Sequence, residues 1–179
     1  VLIEAYRQDR AGLLSLGDMT EVCKEDQVPG SGILTQHFSP GTRISLRDAA
    51  RLMIVYSDNT ATNLVVDRVG LALGCPDTRM HAKVFRGDTS IAPERSKRFG
   101  LGSITARQAA SLLARIHRRE LWDAKACDAM IADLEKCDDD LKVRRGLPEG
   151  VKWAHKTGSV NAVRTDAGLL ETPSGTVAL

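Results

Sequence analysis

Apolar residues recur every three or four positions through most of the chain, the spacing that lines one face of an α-helix. This pattern predicts helices over residues 1–10, 105–121 and 123–136, and another that begins behind Ser45. Ser45 and Asp48 form a variant of the capping box, in which hydroxyl and carboxylate satisfy the first N–H groups of a helix. The predicted apolar face of that helix consists of Leu46, Ala49, Ala50, Met53 and Ile54.

Three small polar residues, Ser57, Asp58 and Asn59, interrupt this apolar stripe before the helical pattern resumes. Thr60 is predicted to cap the resumed helix, and Gly70 is predicted to end it. The interruption is either a loop that links two helices or a functional site.

Two stretches of the chain lack a helical period. From Gly74 to Ser103 the sequence is rich in Pro, Gly, Asp and Ser, which predicts one long loop that is functional or disordered. Residues 151–160 are typical of a strand, and residues 166–179 of two strands joined at Pro173-Ser174-Gly175. The last strand runs into the final residue, so we expect an open sheet edge and a trimmed end.

Composition and charge exclude several classes of partner. The 179 residues include 25 basic and 23 acidic ones, a formal net charge of +2 that favours neither nucleic acid nor an anionic membrane. Aromatic residues make up 4%, too few for base-stacking platforms. The sequence contains no apolar run of membrane-spanning length and no visible signal peptide. Val1 lies inside an apolar helical pattern, so we expect the chain to begin at a cut end.

Four cysteines, Cys23, Cys75, Cys127 and Cys137, are scattered without CxxC spacing. Zinc sites use closely paired ligands, so no metal site is expected. Buried thiols and a single disulfide remain as the alternatives.

Two tripeptides stand out together, Ser-Asp-Asn at 57–59 between helices and Lys-Thr-Gly at 156–158 inside a strand. Each alone is a weak signal, but S-x-x-K, S-D-N and K-T-G form the signature set of class A β-lactamases and penicillin-binding proteins. The chain resembles that family of serine hydrolases over most of its length. The segments that carry the resemblance are VPGSGIL, SLRDAARLMIVYSDNTATNLVVDRVG, SITARQAASLLARI, AHKTGSV and TDAGLLETPSG.

The resemblance implies a β-lactamase-like α+β fold, in which an all-helical lobe packs beside an antiparallel sheet lobe with the active site between them. Residues 1–14 would end the helix that follows the S-x-x-K element. Residues 15–147 would form the helical lobe, with the SDN loop and the long active-site loop. Residues 148–179 would form part of the α/β lobe, carry the KTG strand and leave the sheet incomplete.

The resemblance also assigns roles at the site, where the substrate is a strained amide that bears a carboxylate. Lys156 and Ser57 are the expected catalytic residues. Lys156 would attract the carboxylate and polarise the Ser57 hydroxyl, which would shuttle a proton to the leaving nitrogen. Thr157 would hydrogen-bond the same carboxylate, and Asn59 would hold the side-chain amide of the substrate.

Five neighbouring residues receive further interpretations. Gly158 lacks a Cβ and would let the strand edge approach the ligand, while the N–H of Ser159 would supply half of an oxyanion hole. The resemblance implies that Arg164 supports binding of the substrate carboxylate. An equally open interpretation is that Arg164 is a solvated charge at a turn. Asp58 is interpreted as structural, because its carboxylate can accept from backbone N–H groups. His155 is expected to face away from the site, because neighbours in a strand point to opposite faces.

Two elements of the family pattern are missing. No S-x-x-K precedes the SDN motif, since Thr42 stands where Ser39 would need a lysine. The acylating serine and its lysine are therefore expected upstream of residue 1. In the long loop, Glu94 lacks the following Leu-Asn of class A β-lactamases. Glu94 is either the deacylating base or an exposed charge beside Arg95 and Lys97.

The leading hypothesis is a β-lactamase-like serine hydrolase that opens a β-lactam ring through an acyl-enzyme. The alternatives are a penicillin-binding or D-alanyl-D-alanine peptidase type with slow deacylation, and a non-catalytic ligand-binding remnant. The resemblance implies no cofactor, a β-lactam or peptidoglycan-peptide-like substrate, a periplasmic or secreted location, and a monomer at full length. The 179-residue chain alone is expected to be inactive and to aggregate or swap domains through its open edge.

Overall fold

The computed structural model describes residues 1–72, 78–160 and 163–179. The chain divides into two compact units, Val1–Thr105 and Ala106–Leu179. Both combine α-helices with small antiparallel sheets, which confirms the predicted α+β class.

The regular secondary structure of the first unit is mostly α-helical, with two short strand pairs. Its helices are α1 (Leu2–Arg10), α2 (Leu34–His37), α3 (Leu46–Val55), α4 (Asn59–Val69) and α5 (Pro93–Phe99). Its strands are β1 (Met19–Glu21), β2 (Arg43–Ser45), β3 (Arg79–Met80) and β4 (Gly102–Ser103). The pairs are β1 with β2 and β3 with β4, both antiparallel.

Helix α3 forms as its apolar pattern predicts. Ser45 Oγ accepts a hydrogen bond from Asp48 N at 3.0 Å, which confirms the hydroxyl half of the predicted cap, and it donates to Asp48 Oδ2 at 2.6 Å. All five predicted apolar positions are buried, and α3 packs against α4. Burying each of the larger side chains contributes about 1.5–3 kcal/mol, so this pair of helices forms the core behind the SDN motif.

Helix α4 is capped by Asp58, and the prediction of Thr60 as its cap is wrong. Asp58 Oδ1 accepts from Ala61 N at 2.8 Å, and the helix begins at Asn59. The Thr60 hydroxyl lies in the interior, where it accepts from Val28 N at 3.0 Å. Asp and Thr both cap helices well, so the cap is decided by tertiary contacts such as the bond from Val28 N to Thr60. Gly70 ends the helix with φ 82°, as predicted.

The segment predicted as one long loop contains secondary structure. β3, α5 and β4 all lie within it, so the prediction is wrong for residues 79–103, while 74–77 lie outside the described residues. Helix α5 has the sequence PERSKRF, and none of these seven described residues is buried. A charged helix without an apolar face gives no periodic signal, which is why the hydrophobic pattern missed it.

The second unit packs two helices on a three-stranded sheet. Its elements are α6 (Ala106–His117), α7 (Ala124–Leu134), β5 (Trp153–Val160), β6 (Val163–Thr172) and β7 (Gly175–Ala178). The sheet is antiparallel in the order β5-β6-β7, as the strand patterns predict. Helix α6 packs on β6 and β7, and α7 packs on β5.

Within the described ranges, no helix has the length and apolar character that crossing a membrane requires. The same residues contain no group of three His, Cys, Asp or Glu side chains placed to hold a metal ion. Cys23, Cys127 and Cys137 are free thiols, and Cys75 lies outside the described residues.

Candidate active site

Asp58 anchors the SDN motif to a distant part of the first unit. Its side chain is buried, and Oδ2 accepts from Ile33 N at 2.6 Å and from Leu34 N at 2.9 Å. With the cap to Ala61 N, three backbone N–H groups donate to this one buried carboxylate and compensate its charge. The structural interpretation of Asp58 is confirmed, although two of the three donors lie far away along the chain.

Residues 29–34, which we call the cradle, make room for the motif through two glycines. Gly32 has φ +113°, and a Cβ there would lie 2.3 Å from the Asp58 carboxylate. Gly30 has φ +96°, and a Cβ there would lie 2.4 Å from Asn59 Nδ2. Both the left-handed backbone and the close approach require glycine. The turn-rich composition of this segment therefore has a specific purpose, which is to hold the motif.

Ser57 adopts a left-handed backbone conformation, with φ 49°. Ser31 Oγ in the cradle donates to Ser57 O at 2.8 Å, and Asn59 N donates to Ser31 O at 3.0 Å. A non-glycine residue in this region costs about 1–3 kcal/mol and persists only where surrounding contacts enforce it. The cradle and Asp58 supply that enforcement, so the chain turns at Ser57 instead of continuing α3.

The Asn59 side chain is held at the start of α4. Its Nδ2 donates to Pro29 O in the cradle at 2.9 Å, and the residue is half-buried. A primary amide offers two N–H donors and a carbonyl acceptor, so one bond to a fixed carbonyl sets the direction of the remaining groups. The Asn59 side chain is thus fixed in direction, and its part in binding a substrate amide stays a prediction.

Lys156 is half-buried on strand β5, in the second unit. Its Nζ donates to Thr157 O at 2.7 Å. Burial lowers the pKa of the Lys156 ammonium, while the negative charges of Cys137, Asp139 and Asp166 oppose that change. A lysine with a lowered pKa takes part in proton transfer more readily than an exposed one.

Thr157 is buried, and its side chain is one of the groups that lower the pKa of the Asp139 carboxyl. Lys142 Nζ donates to Asp139 Oδ2 at 2.5 Å. The Lys142 bond, together with the Thr157 hydroxyl and the Leu141 N–H, outweighs burial and lowers the pKa of Asp139 to about 2. Sequence reasoning missed Asp139, because it stands in an acidic run whose spacing from the KTG motif follows no period.

Gly158 lies close to a side chain of the neighbouring strand. It pairs with Thr165 on β6, and a Cβ at Gly158 would lie 2.5 Å from Thr165 Oγ1. This packing reason was not visible in the sequence, and the approach of a ligand to Gly158 stays a prediction. Ser159 is exposed one position further along β5.

Arg164 pairs with Ser159 across the β5–β6 ladder and is exposed. Its guanidinium donates to the carbonyl oxygens of Val160 and Val163, the second at 3.0 Å. The side chain therefore folds back over the end of its own hairpin, as a turn charge does. Its part in carboxylate binding stays a prediction.

Glu94 lies on α5 and faces solvent, with 84% of its side chain exposed. Its Oε1 accepts from Lys97 Nζ at 2.7 Å. This contact matches the interpretation of Glu94 as an exposed charge beside Lys97, and the role of deacylating base stays a prediction.

The predicted site residues fall into two groups. Ser57 and Asn59 are brought together in the first unit by the cradle. The second group lies along the β5–β6 ladder and consists of Lys156, Thr157, Gly158, Ser159 and Arg164. The motifs and the family resemblance pointed to these positions, and their roles stay predictions; the residues that hold them were not predicted from the sequence.

Comparisons with known proteins agree with the motifs. A family model described as the beta-lactamase enzyme family matches residues 1–179. The structure of a beta-lactamase from Sphaerobacter thermophilus is similar, with 33% identity, a TM-score of 0.82 and coverage of 99% of this chain and 68% of that one. A search of curated protein sequences gives no match.

Two further solved structures share the fold at lower identity. A beta-lactamase from Chitinophaga pinensis is 23% identical, with a TM-score of 0.82 and coverage of 99% of this chain and 71% of that one. PBP-A is 24% identical, with a TM-score of 0.81 and coverage of 99% of this chain and 67% of that one. The full-length family match and the 33% identical beta-lactamase establish that this chain belongs to the beta-lactamase enzyme family.

Proposed function

We propose that this protein is a serine hydrolase that opens β-lactam rings through an acyl-enzyme, with its nucleophile upstream of residue 1. The observation that carries the proposal is the enforced turn at Ser57. A buried carboxylate, two glycines that tolerate no side chain and a set of backbone hydrogen bonds all hold this one strained residue. Strain maintained by so many contacts is typical of functional sites.

In the proposed reaction, Ser57 transfers a proton and Lys156 supplies a positive charge beside it. The acylating serine attacks the carbonyl carbon of the ring amide and breaks the C–N bond. Ser57 then donates its hydroxyl proton to the leaving nitrogen and is reprotonated by the proton that the acylating serine gives up, a relay that a hydroxyl performs only beside a cation. Lys156 is that cation, and its lowered pKa supports a part in the proton transfer. No cofactor is needed for this chemistry.

The remaining motif residues would hold the substrate. Thr157 and Arg164 would bind its carboxylate, Asn59 its side-chain amide, and Ser159 N the developing oxyanion beside Gly158. The substrate class is a β-lactam or a peptidoglycan-peptide-like amide. A mutant of PBP-A, one of the fold relatives, has been solved as an acyl-enzyme complex with penicillin G. We also propose a periplasmic or secreted location and a monomeric state, as the family implies.

A second candidate is a penicillin-binding or D-alanyl-D-alanine peptidase-type enzyme, in which the acyl-enzyme persists. Glu94 favours this candidate, because its carboxylate is engaged by Lys97 on an exposed helix. Without a carboxylate that positions water, deacylation is slow. A third candidate, a binding protein without turnover, requires that the nucleophile is missing.

The experiment is β-lactam hydrolysis by the natural-length protein, followed with a chromogenic cephalosporin. Ser57→Ala and Lys156→Met are each expected to lower kcat/KM by about 10²–10⁴, the usual size of a proton-transfer contribution. Lys152→Met is the matched control. Lys152 is exposed, immediately precedes β5, and its Nζ lies 3.6 Å from Glu171 Oε1. Its replacement should change kcat/KM less than about twofold.

The double variant sharpens this test. Residues that serve one proton transfer give non-additive losses, so Ser57→Ala with Lys156→Met should be little worse than either alone. Unchanged hydrolysis in Lys156→Met, with the protein still folded, would contradict the assigned roles.

A further inference from the structure

An exposed aromatic side chain lies beside the SDN motif, and the proposed reaction assigns it no part. Phe85 is 62% exposed, the highest value among the described aromatic side chains. A Cβ placed on Gly30 of the cradle would lie 3.3 Å from Phe85 Cε2 and 2.4 Å from Asn59 Nδ2. The edge of the ring and the Asn59 amide therefore flank the same point of the cradle, within the width of one side chain.

Phe85 stands at a backbone position that does not favour phenylalanine. The chain turns between Lys83 and Arg86, where Arg86 N donates to Lys83 O at 3.2 Å. Phe85 is the third residue of this turn and has φ 56°. A turn with positive φ at its third residue usually carries glycine or asparagine there, because a bulky side chain is strained. Burial does not offset this strain, since most of the ring is in contact with solvent.

The turn that carries Phe85 is fixed to helix α4. Asn63 is buried on that helix, its Nδ2 donates to Val84 O at 3.0 Å, and its Oδ1 accepts from Val84 N at 2.7 Å. Two bonds to the residue immediately before Phe85 leave the turn little freedom. Because Asn59 begins the same helix, one rigid element holds both Phe85 and Asn59. The ring thus keeps its place beside the amide.

A ring in this place suits an apolar group on the substrate. In the proposed reaction Asn59 holds the side-chain amide of the substrate, so the substituent on that amide would lie beside Phe85. The nearest cation in the sequence, Arg86, is already paired, because it donates to Glu25 O and to Asp88 Oδ1, both at 3.4 Å. Aromatic groups attract one another edge to face or offset, whereas a charged substituent would lose hydration against the ring.

We propose that Phe85 is a specificity-determining residue, which contacts the substituent on the side-chain amide of the substrate and favours an aromatic one. This inference rests on the proposed function and narrows its substrate class to amides that carry an aromatic side chain. The substrate would cover a ring that the free protein leaves exposed. Strain that surrounding contacts enforce is typical of ligand-binding sites, and the two bonds from Asn63 enforce it here.

The test compares two penicillins that differ only in the substituent on the side-chain amide. Benzylpenicillin carries a benzyl group there, and 6-acetamidopenicillanic acid carries a methyl group. Both keep the β-lactam ring, the carboxylate and the amide that Asn59 would hold. For the natural-length protein we expect kcat/KM to be about tenfold higher with benzylpenicillin, because only that substrate reaches the ring. The second-order rate of adduct formation, followed by intact mass, replaces kcat/KM if the acyl-enzyme persists.

Phe85→Ala should lower kcat/KM for benzylpenicillin about threefold to tenfold, the size of one aromatic contact, and change that for the acetamido compound less than about twofold. Phe85→Gly suits the backbone at φ 56° and repeats the test without strain. Phe85→Tyr keeps a ring and should preserve the preference. Phe99→Ala is the matched control, since Phe99 is an exposed phenylalanine of the same unit with Arg95 and Arg98 over its ring. It should leave both rates within about twofold.

Two results would overturn this inference and leave the proposed function standing. One is an undiminished preference for benzylpenicillin in Phe85→Ala or Phe85→Gly, with the variant folded by circular dichroism. The other is equal rates for the two penicillins with the unaltered protein, which requires no variant. If the unaltered protein reacts with neither penicillin, the proposed function fails, and the inference that rests on it fails as well.

Discussion

The two motif regions of this chain are held by different kinds of contact. The SDN turn in the first unit is fixed by backbone N–H groups, one buried carboxylate and two glycines of the cradle. The KTG strand in the second unit lies in a network of ionisable side chains that includes Asp139, Lys142, His155 and Asp166. This difference predicts that added side-chain volume destabilises the SDN turn, whereas a change of charge affects the stability of the KTG strand.

The sharpest way to break the turn is to add one methyl group to the cradle. Gly32→Ala places a Cβ 2.3 Å from the Asp58 carboxylate at φ +113°. We expect the free energy of unfolding to fall by about 3 kcal/mol or more, because strain and the loss of buried hydrogen bonds combine. Urea unfolding followed by circular dichroism measures this change.

Gly41→Ala is the matched control for Gly32→Ala. Gly41 has φ +90°, with nothing within 4 Å of its would-be Cβ among the described residues. The free energy of unfolding of Gly41→Ala should fall by only about 1–2 kcal/mol, the cost of placing an alanine in the left-handed backbone region. Equal losses at the two glycines would show that the Asp58 contact does not matter.

The next largest effect is expected from Asp58→Asn. An amide keeps one acceptor oxygen and turns its NH₂ group toward backbone N–H donors, so buried donors lose their partner. We expect a loss of about 2–4 kcal/mol from one or two unsatisfied buried groups. Ser45→Ala, which removes the exposed cap of α3, should cost about 1 kcal/mol by comparison. A loss at Asp58 no larger than at Ser45 would remove the basis for an anchored turn.

The smallest effect on stability is expected from the Asp139 charge, in the network around the KTG strand. The pKa of Asp139 is about 2, below its ordinary value of 3.8, so the unfolded chain binds the proton more readily. The carboxylate therefore stabilises the fold above about pH 4, and this contribution disappears as the pH falls through about 2. The side chain is 29% exposed, so we expect less than about 1 kcal/mol.

Asp139→Asn tests this by acid unfolding between pH 2 and 5. Its stability deficit relative to the unaltered protein should shrink as the pH falls toward 2. Asp138→Asn, a change at the exposed neighbouring carboxylate, should stay within about 0.5 kcal/mol at every pH. A deficit at Asp139 that does not vary with pH would mean that the network contributes packing and not charge.

The sequence predicted those features that depend on local patterns. The apolar stripe and cap of α3, the end of α4 at Gly70 and the three C-terminal strands all have a period or a turn composition that a single segment displays. The motif positions were predictable in the same way, because their spacing within each tripeptide is local. The division into residues 1–14, 15–147 and 148–179 stays a prediction.

The contacts that hold the site were not predictable, because they join segments far apart in the chain. Nothing local distinguishes Asp58 from Thr60 as the helix cap, and only the amides of Ile33 and Leu34 decide between them. The acidic run that contains Asp139 is typical of a solvated loop, yet the Thr157 side chain helps to lower the pKa of Asp139. Four of the seven residues of helix α5 are charged and none is buried, so periodicity could not reveal it.

The most direct test of the proposed function is the intact mass of the natural-length protein before, during and after exposure to excess penicillin. The account predicts a transient adduct of one penicillin equivalent and steady accumulation of the hydrolysed drug. A lasting one-equivalent adduct without turnover would replace hydrolysis by the penicillin-binding alternative. Neither adduct nor hydrolysis, in a protein that remains folded, would contradict serine acylation altogether.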